Sequence, residues 1–450
     1  MKDDRKHGNG RVNVLPAVVI VGAALAVGAF VTLSGSSSNS AHDASSNTHM
    51  GSAGTGTSGG KRSSDGRGGS NGNGAPGGTF SLTSSTPVAG QQNVPSDATI
   101  TLTFSQEVDL KGPKPVLSPV VAGTWVQSTP KTLTYRLASP LVPSTREVVS
   151  FPTGHSGILS TTGTALQSHP PVAFGVETGD TLRVQQLLAE LNYLPLSFSP
   201  SGPTGALSTL AQDQPGTWAW RWSAQPTALT SMWTQGTMNE ITKAAIESFE
   251  YQNNLRVDGE AGPAVWTALI DDTLNHTASA LPYVYVLVNK VVPQELTLYD
   301  NGTAKYVGIP VNSGAPGADT TDGSYAVFEH VRFSDMKGTN VDGTTYDDPN
   351  VPYASYFNGG DALHGFIRAH YGTPQSNGCI EMSYADAALI WPLTPVGTLV
   401  TIEGPNFGTA PPATTTTTTS TTTTTTTAPS TTTTTAPSSP GTPAAAVPSG

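Results

Sequence analysis

Polar and apolar positions change period several times along the chain. Val12 to Leu33 is apolar except for Asn13, Pro16 and Thr32. A run of about 20 apolar residues spans a bilayer as a helix. Lys2, Arg5, Lys6 and Arg11 precede it, which keeps the N-terminus on the cytoplasmic side. Residues 1–34 are therefore expected to be a cytoplasmic stub and a single-pass membrane anchor. A cleaved signal peptide is the alternative, although the run is long for one and no clear small-x-small site follows at Phe30 to Gly35. Residues 35–78 have no periodicity and read as a flexible Gly/Ser linker. From 79 to 177 the period becomes two: Ile100, Leu102 and Phe104 alternate with Thr101 and Thr103, and Trp125–Val126, Thr132–Leu137 and Val148–Phe151 continue the pattern between Pro and Gly punctuation. Short strands at this spacing predict a β-sandwich.

Residues 178–274 switch to a helical period. Leu182, Val184, Leu187, Leu188 and Leu191 share one face, with Thr178 or Asp180 as the cap. Ile241, Ala245 and Phe249 repeat the pattern, and Pro263 opens a third, short helix after the Asp258–Gly259 turn. Between the first two helices, Ser197 to Met238 carries Trp218, Trp220, Trp222 and Trp233. The alternation Trp-Ala-Trp-Arg-Trp predicts a strand with aromatics on one face. Those rings either pack on the helices or stack on sugars, and packing is the ordinary use of large aromatics.

From 281 to 405 the chain reads as mostly antiparallel β-structure. Tyr283–Val288 and Glu295–Tyr299 are strands, and a turn at Asp300–Gly302 leads into Lys305–Val311. Thr321–Val327 follows. Arg332 to Pro349, rich in Gly and Asp, reads as a mobile segment. Ser383–Trp391 is a short helix, and Gly397–Ile402 is the closing strand. Residues 406–450, dominated by Thr and Pro, read as an extended tail open to O-glycosylation. The fold class expected is multidomain and mainly β.

Composition narrows the function. The formal net charge is −11, which argues against a nucleic-acid partner. No His, Asp, Glu and Cys group stands at metal-ligand spacing, and no cofactor is implied. Cys379 is the single cysteine, so no intramolecular disulfide forms. In an exported chain a lone thiol suits reactivity better than structure. It sits in Ser376-Asn377-Gly378-Cys379-Ile380, and His364-Gly365 lies upstream. A thiol with an imidazole to lower its pKa and carry its proton is the minimum kit for acyl transfer. On residue types alone, a small buried hydrophobe is the more common fate of a free Cys.

The motif decides between these. His364-Gly365 followed by Ser376-Asn377-Gly378-Cys379-Ile380, with Tyr353-Ala-Ser-Tyr-Phe-Asn-Gly-Gly-Asp-Ala-Leu ahead of it, resembles the signature of the YkuD-type L,D-transpeptidases. Asn377 stands where that family often has His, and Glu381 where it often has Arg or Asn. A carboxylate at Glu381 would raise the thiol pKa unless offset, and a pairing with Arg368 would offset it. Residues 79–177 resemble a bacterial Ig-like domain. Gln185 to Leu196 and Phe249 to Leu269 together resemble a peptidoglycan-binding helical domain split by an insertion.

The resemblance implies a site. Cys379 is the nucleophile and His364 the base, its ring oriented by the Gly365 carbonyl. The amides of Gly378 and Cys379 form an oxyanion hole. Tyr353, Phe357, Asn358, Ser376 and Asn377 line the substrate clefts. Arg368 binds a carboxylate of the stem peptide or is a solvated loop charge. His370 lies between the motifs and is the alternative base. The partners implied are peptidoglycan stem peptides and glycan, the membrane through the N-terminal helix, and β-lactams of the carbapenem class as covalent inhibitors. The reaction implied joins two stems through a thioester with release of D-Ala. A carboxypeptidase using water and a non-catalytic wall-binding protein are the rival readings.

Overall fold

The computed structural model describes residues 78–406 apart from 204. The anchor expected at Val12–Leu33, the linker before residue 78 and the Thr-rich tail lie outside the described residues. Among the described residues, no helix is long and apolar enough to cross a membrane.

The first module is the expected sandwich. Leu82–Thr86, Ile100–Phe104, Thr132–Leu137 and Gly123–Thr129 form one antiparallel sheet in that spatial order. Val116–Ser118, Arg146–Ser150 and Val172–Gly175 form the other. Period-two alternation buries Ile100, Leu102 and Phe104 from one sheet and Val149, Val172 and Phe174 from the other.

The second module packs three helices, Thr181–Glu190, Glu240–Gln252 and Pro263–Asn275. Asp180 caps the first by accepting the Leu182 N–H, and Asn239 caps the second by accepting the Thr242 N–H. The third spans 13 residues, as long as the second, so it is not the short helix expected. Leu196–Pro200 and Gly216–Trp220 pair as a small hairpin with Phe198 opposite Trp218. The Trp218 ring centroid lies 5.0 Å from Phe198 and 5.2 Å from Trp233. Trp222 turns onto Tyr283 at 6.3 Å. These indoles pack on protein, as large apolar surfaces do when a core is within reach.

The third module has two sheets. One runs Thr303–Pro310, Glu295–Asp300, Val284–Asn289, Leu399–Glu403, Gly323–Ala326. The other runs Glu329–Thr339, Thr345–Asn358, Asp361–Gly365, Ile380–Met382. Val286, Leu298, Ile402, Leu363 and Ile380 fill a shared core, and the helix Tyr384–Ile390 covers the second sheet. The segment 332–349 is not a loop. It forms most of a long antiparallel hairpin, with Phe333 opposite Pro352 and Thr339 opposite Thr345. Its side chains are largely exposed or half-buried, so no apolar period marks it in the sequence.

The helical and third modules share a core. Tyr285 and Leu399 of the third module are buried in one cluster with Leu188, Ile246 and Trp266. Gly397 (φ +85°) crosses the Ser248 backbone so closely that a Cβ would lie 2.4 Å from the Ser248 nitrogen. Only glycine serves there, on both conformational and steric grounds.

Candidate active site

Strands Asp361–Gly365 and Ile380–Met382 run parallel, pairing Leu363 with Ile380, His364 with Glu381 and Gly365 with Met382. Leu363 and Ile380 point into the core. Alternation puts His364 and Glu381 on the opposite face. Cys379 immediately precedes Ile380, so it falls on the face of His364 and Glu381. The register thus makes the thiol a diagonal neighbour of the imidazole, a placement that typically separates backbones by about 7–8 Å and leaves side chains within reach.

His364 is 3% exposed. Its Nδ1 lies 3.1 Å from the Gly365 carbonyl. That oxygen only accepts, so Nδ1 carries the proton and Nε2 is left as the acceptor. Burial lowers the imidazole pKa, and the Gly365 carbonyl and Glu381 oppose that shift. His370 sits on an exposed loop, away from the paired strands that carry His364.

Cys379 is partly exposed. Its sulfur lies 3.6 Å from the Gly360 carbonyl. Burial pushes the thiol up to about 12, Asp361 and Glu381 push the same way, and the Ala362 N–H opposes them. The expectation of a thiol pKa lowered by its histidine is therefore corrected. With His364 lowered and Cys379 raised, both by desolvation, the resting pair is neutral imidazole and neutral thiol.

Glu381, the departure from the family motif, is matched. Arg368 donates from Nε and Nη2 to its two carboxylate oxygens, each at 2.7 Å. The guanidinium also lies 4.7 Å over the Phe366 ring. Arg368 is thus not a free loop charge, because two of its nitrogens are engaged by Glu381.

Several expected cleft residues have other positions. Phe357 is buried in the core beside Tyr325, because alternation along Thr345–Asn358 turns it inward. Ser376 is buried within the cysteine loop: it donates to the Cys379 carbonyl at 2.6 Å and accepts the Gly378 N–H at 3.2 Å. That engagement removes the Gly378 amide from the expected oxyanion pair and leaves the Cys379 amide. Asn358 hydrogen-bonds Asp361. Tyr353 adopts φ +63° and lies under the Arg332 guanidinium at 3.9 Å. Asn377 donates to Asn340 at 2.7 Å, tying the cysteine loop to the tip of the long hairpin.

Three neighbours of the thiol were not foreseen. Gly378 (φ +115°) faces Asp361, whose Oδ1 would lie 2.3 Å from an added Cβ. Burial raises the Asp361 carboxyl to about 6. Tyr346 and Tyr356, both on the hairpin, have pKa values raised first by burial and then by the proximity of Cys379. The signal for Asp361 was its place three residues before His364. Tyr346 gave none, because its segment read as mobile, and Tyr356 stood in the motif stretch without being singled out.

Residues 283–402 match the family model of the L,D-transpeptidase catalytic domain, YkuD. This segment is a YkuD domain. Residues 78–175 match the bacterial Ig-like domain, and residues 233–269 the peptidoglycan binding domain. The last match begins after the first helix and the Trp-bearing hairpin, which fits an insertion. Among curated proteins, none matches the chain. Solved structures overlap it weakly. An L,D-transpeptidase from Mycobacterium smegmatis shares 11% identity over 73% of this chain and 100% of its own, with a TM-score of 0.25. L,D-transpeptidase 3 from Mycobacterium tuberculosis, bound to a faropenem-derived adduct, shares 13% over 72% and 98%, with a TM-score of 0.25. The E. faecium L,D-transpeptidase catalytic domain shares 24% over 28% and 100%, also at 0.25. Likeness at that level decides nothing about function; the YkuD domain, with Cys379 and His364 on one strand face, is what bears on it.

Proposed function

We propose that the chain is a cell-wall L,D-transpeptidase of the extracytoplasmic envelope, working through a thioester on Cys379. What supports this is the parallel pairing of Leu363 with Ile380, the residue after Cys379, and of His364 with Glu381, with the imidazole fixed through Nδ1. The Cys379 sulfur attacks the carbonyl between the L-centre of a tetrapeptide stem and its terminal D-Ala. Its proton passes to His364 Nε2 as the C–S bond forms, so no free thiolate is needed at rest. The tetrahedral oxyanion lies against the Cys379 amide. Collapse breaks the C–N bond, and the imidazolium returns its proton to the departing D-Ala amine. The side-chain amine of a second stem then attacks the thioester. His364 takes its proton, and the thiol is regenerated as the cross-link forms.

The other modules fit a wall enzyme. Residues 178–274 are assigned to glycan contact and residues 79–177 to a spacer, with residues 1–34 as anchor or signal, 35–78 as linker, 281–405 as the catalytic unit and 406–450 as tail. Carbapenems, whose strained carbonyl mimics the scissile amide, are the expected covalent inhibitors.

The test is intact-mass analysis after incubation with imipenem, for the wild type and Cys379→Ala, followed by tetrapeptide turnover. A drug-sized adduct on the wild type alone, and dimer with released D-Ala, is the expected result. Tripeptide without dimer would make the protein an L,D-carboxypeptidase. No adduct and no turnover would make it a binding protein.

A further inference from the structure

We propose that Thr320 is a positioning residue that aims the oxyanion donor, resting on the assignment of Cys379 as nucleophile. Thr320 is 1% exposed and lies 58 residues from the loop it serves. Its hydroxyl donates to the Gly378 carbonyl at 2.6 Å and accepts the Gly314 N–H at 2.9 Å. The Gly378 carbonyl and the Cys379 N–H belong to one planar trans peptide, in which they point in opposite directions. Anchoring the carbonyl on a buried hydroxyl therefore directs the Cys379 N–H away from the interior.

The rest of the cysteine loop makes this the decisive anchor. The Gly378 N–H is already taken by Ser376, and the Cys379 carbonyl by the Ser376 hydroxyl. Those two bonds fix the flanking peptide planes. The central plane, whose N–H serves the substrate, has Thr320 on its other end. Gly378 is the residue on which that plane pivots; its φ of +115° is open to glycine alone, so side-chain sterics do little to hold the plane.

Thr320 is itself held. The buried Lys290 ammonium donates to the Thr320 carbonyl at 2.8 Å and pairs with Asp322 at 2.8 Å. Lys290 also donates to Asn406. The hydroxyl thus sits on a segment clamped at its own backbone and two residues later.

The experiment compares two reactions of the same sulfur in the full chain. Acylation by imipenem builds an oxyanion; alkylation by iodoacetamide displaces iodide from a saturated carbon and does not. Thr320→Val keeps the shape and removes the hydroxyl. Loss of an oxyanion donor costs about 10²–10³ in rate, so a misaimed donor is expected to slow acylation about 10- to 100-fold. Alkylation should stay within about twofold, and Thr320→Ser should restore acylation to near wild type. Thr320→Ala against Thr320→Ser gives the same contrast should the valine variant not fold. Unchanged acylation in Thr320→Val overturns the proposal. Alkylation falling in parallel with acylation also overturns it, since Thr320 would then support the loop without aiming the amide. A wild type that imipenem does not acylate overturns the assignment of Cys379, and this proposal with it.

Discussion

Removing Arg368 tests the buried charge beside the site. The Glu381 side chain is 5% exposed and the Arg368 side chain 30% exposed, and their two 2.7 Å bonds are bidentate. Arg368→Met keeps the stem over Phe366 but removes both donors, leaving Glu381 only the Asn312 amide at 3.5 Å. Stranding a buried charge costs about 3–5 kcal/mol. The helical and catalytic modules share a core, so they are expected to melt as one unit of over two hundred residues. At about 2–4 °C per kcal/mol, the melting temperature should fall by roughly 6–20 °C. Replacing both partners, Arg368→Met with Glu381→Leu, removes the charge together with its need for a partner. That double variant should lie within about 1.5 kcal/mol of wild type, because apolar replacements of buried pairs are often near neutral. Calorimetry on wild type, both single variants and the double variant closes the cycle. If Arg368→Met melts with the wild type, or the double variant loses the sum of the singles, Glu381 does not depend on Arg368 and the account of this departure from the motif fails.

Cys379→Ala should abolish imipenem adduct formation and stem cross-linking while changing stability by about 1–2 kcal/mol, read by mass spectrometry and urea denaturation; surviving turnover would dismiss the thiol. Because burial raises Cys379 above the ordinary thiol value, its contribution to stability is fully present below that value and is lost as pH rises toward about 12. His364 is lowered from 6.5, so its contribution is present above that value and lost as pH falls. Iodoacetamide alkylation should accordingly keep climbing beyond the ordinary thiol value of about 8.5, and a plateau there would show a thiol that is not desolvated. Gly378→Ala should inactivate the enzyme, since its Cβ meets Asp361 and its φ suits glycine; acylation at the wild-type rate would contradict that geometry. Gly397→Ala should cost about 1–3 kcal/mol by forcing the two modules apart at Ser248, checked by calorimetry.

The segments that match the Ig-like, peptidoglycan-binding and YkuD models were legible in the sequence because each has a local signature. Cys379 and His364 sit in short motifs, Asp180 and Pro263 mark helix starts, and Ile100–Phe104 alternates cleanly. The part of the hairpin at 332–349 was missed because its side chains are exposed or half-buried on both faces, so neither period appears. Phe357 and Ser376 were placed in the cleft by proximity to the motif, yet strand alternation turns one inward and a loop hydrogen bond claims the other. The Arg368–Glu381 pair was anticipated from charge alone. Thr320 and Gly378 meet across 58 residues, and nothing local in either segment announces that contact.

The core shared by the helical module and the YkuD domain gives the enzyme a fixed geometry. Tyr285 and Leu399 are embedded among the helices and Gly397 is seated on Ser248, so buried contacts tie the two modules together. If the helices grip a glycan strand, the thiol is carried at a constant offset from the grip, like a needle on a rigid arm. Where a stitch falls along the wall is then set by the distance from grip to needle, and stems outside that reach go unjoined however well they fit the cleft.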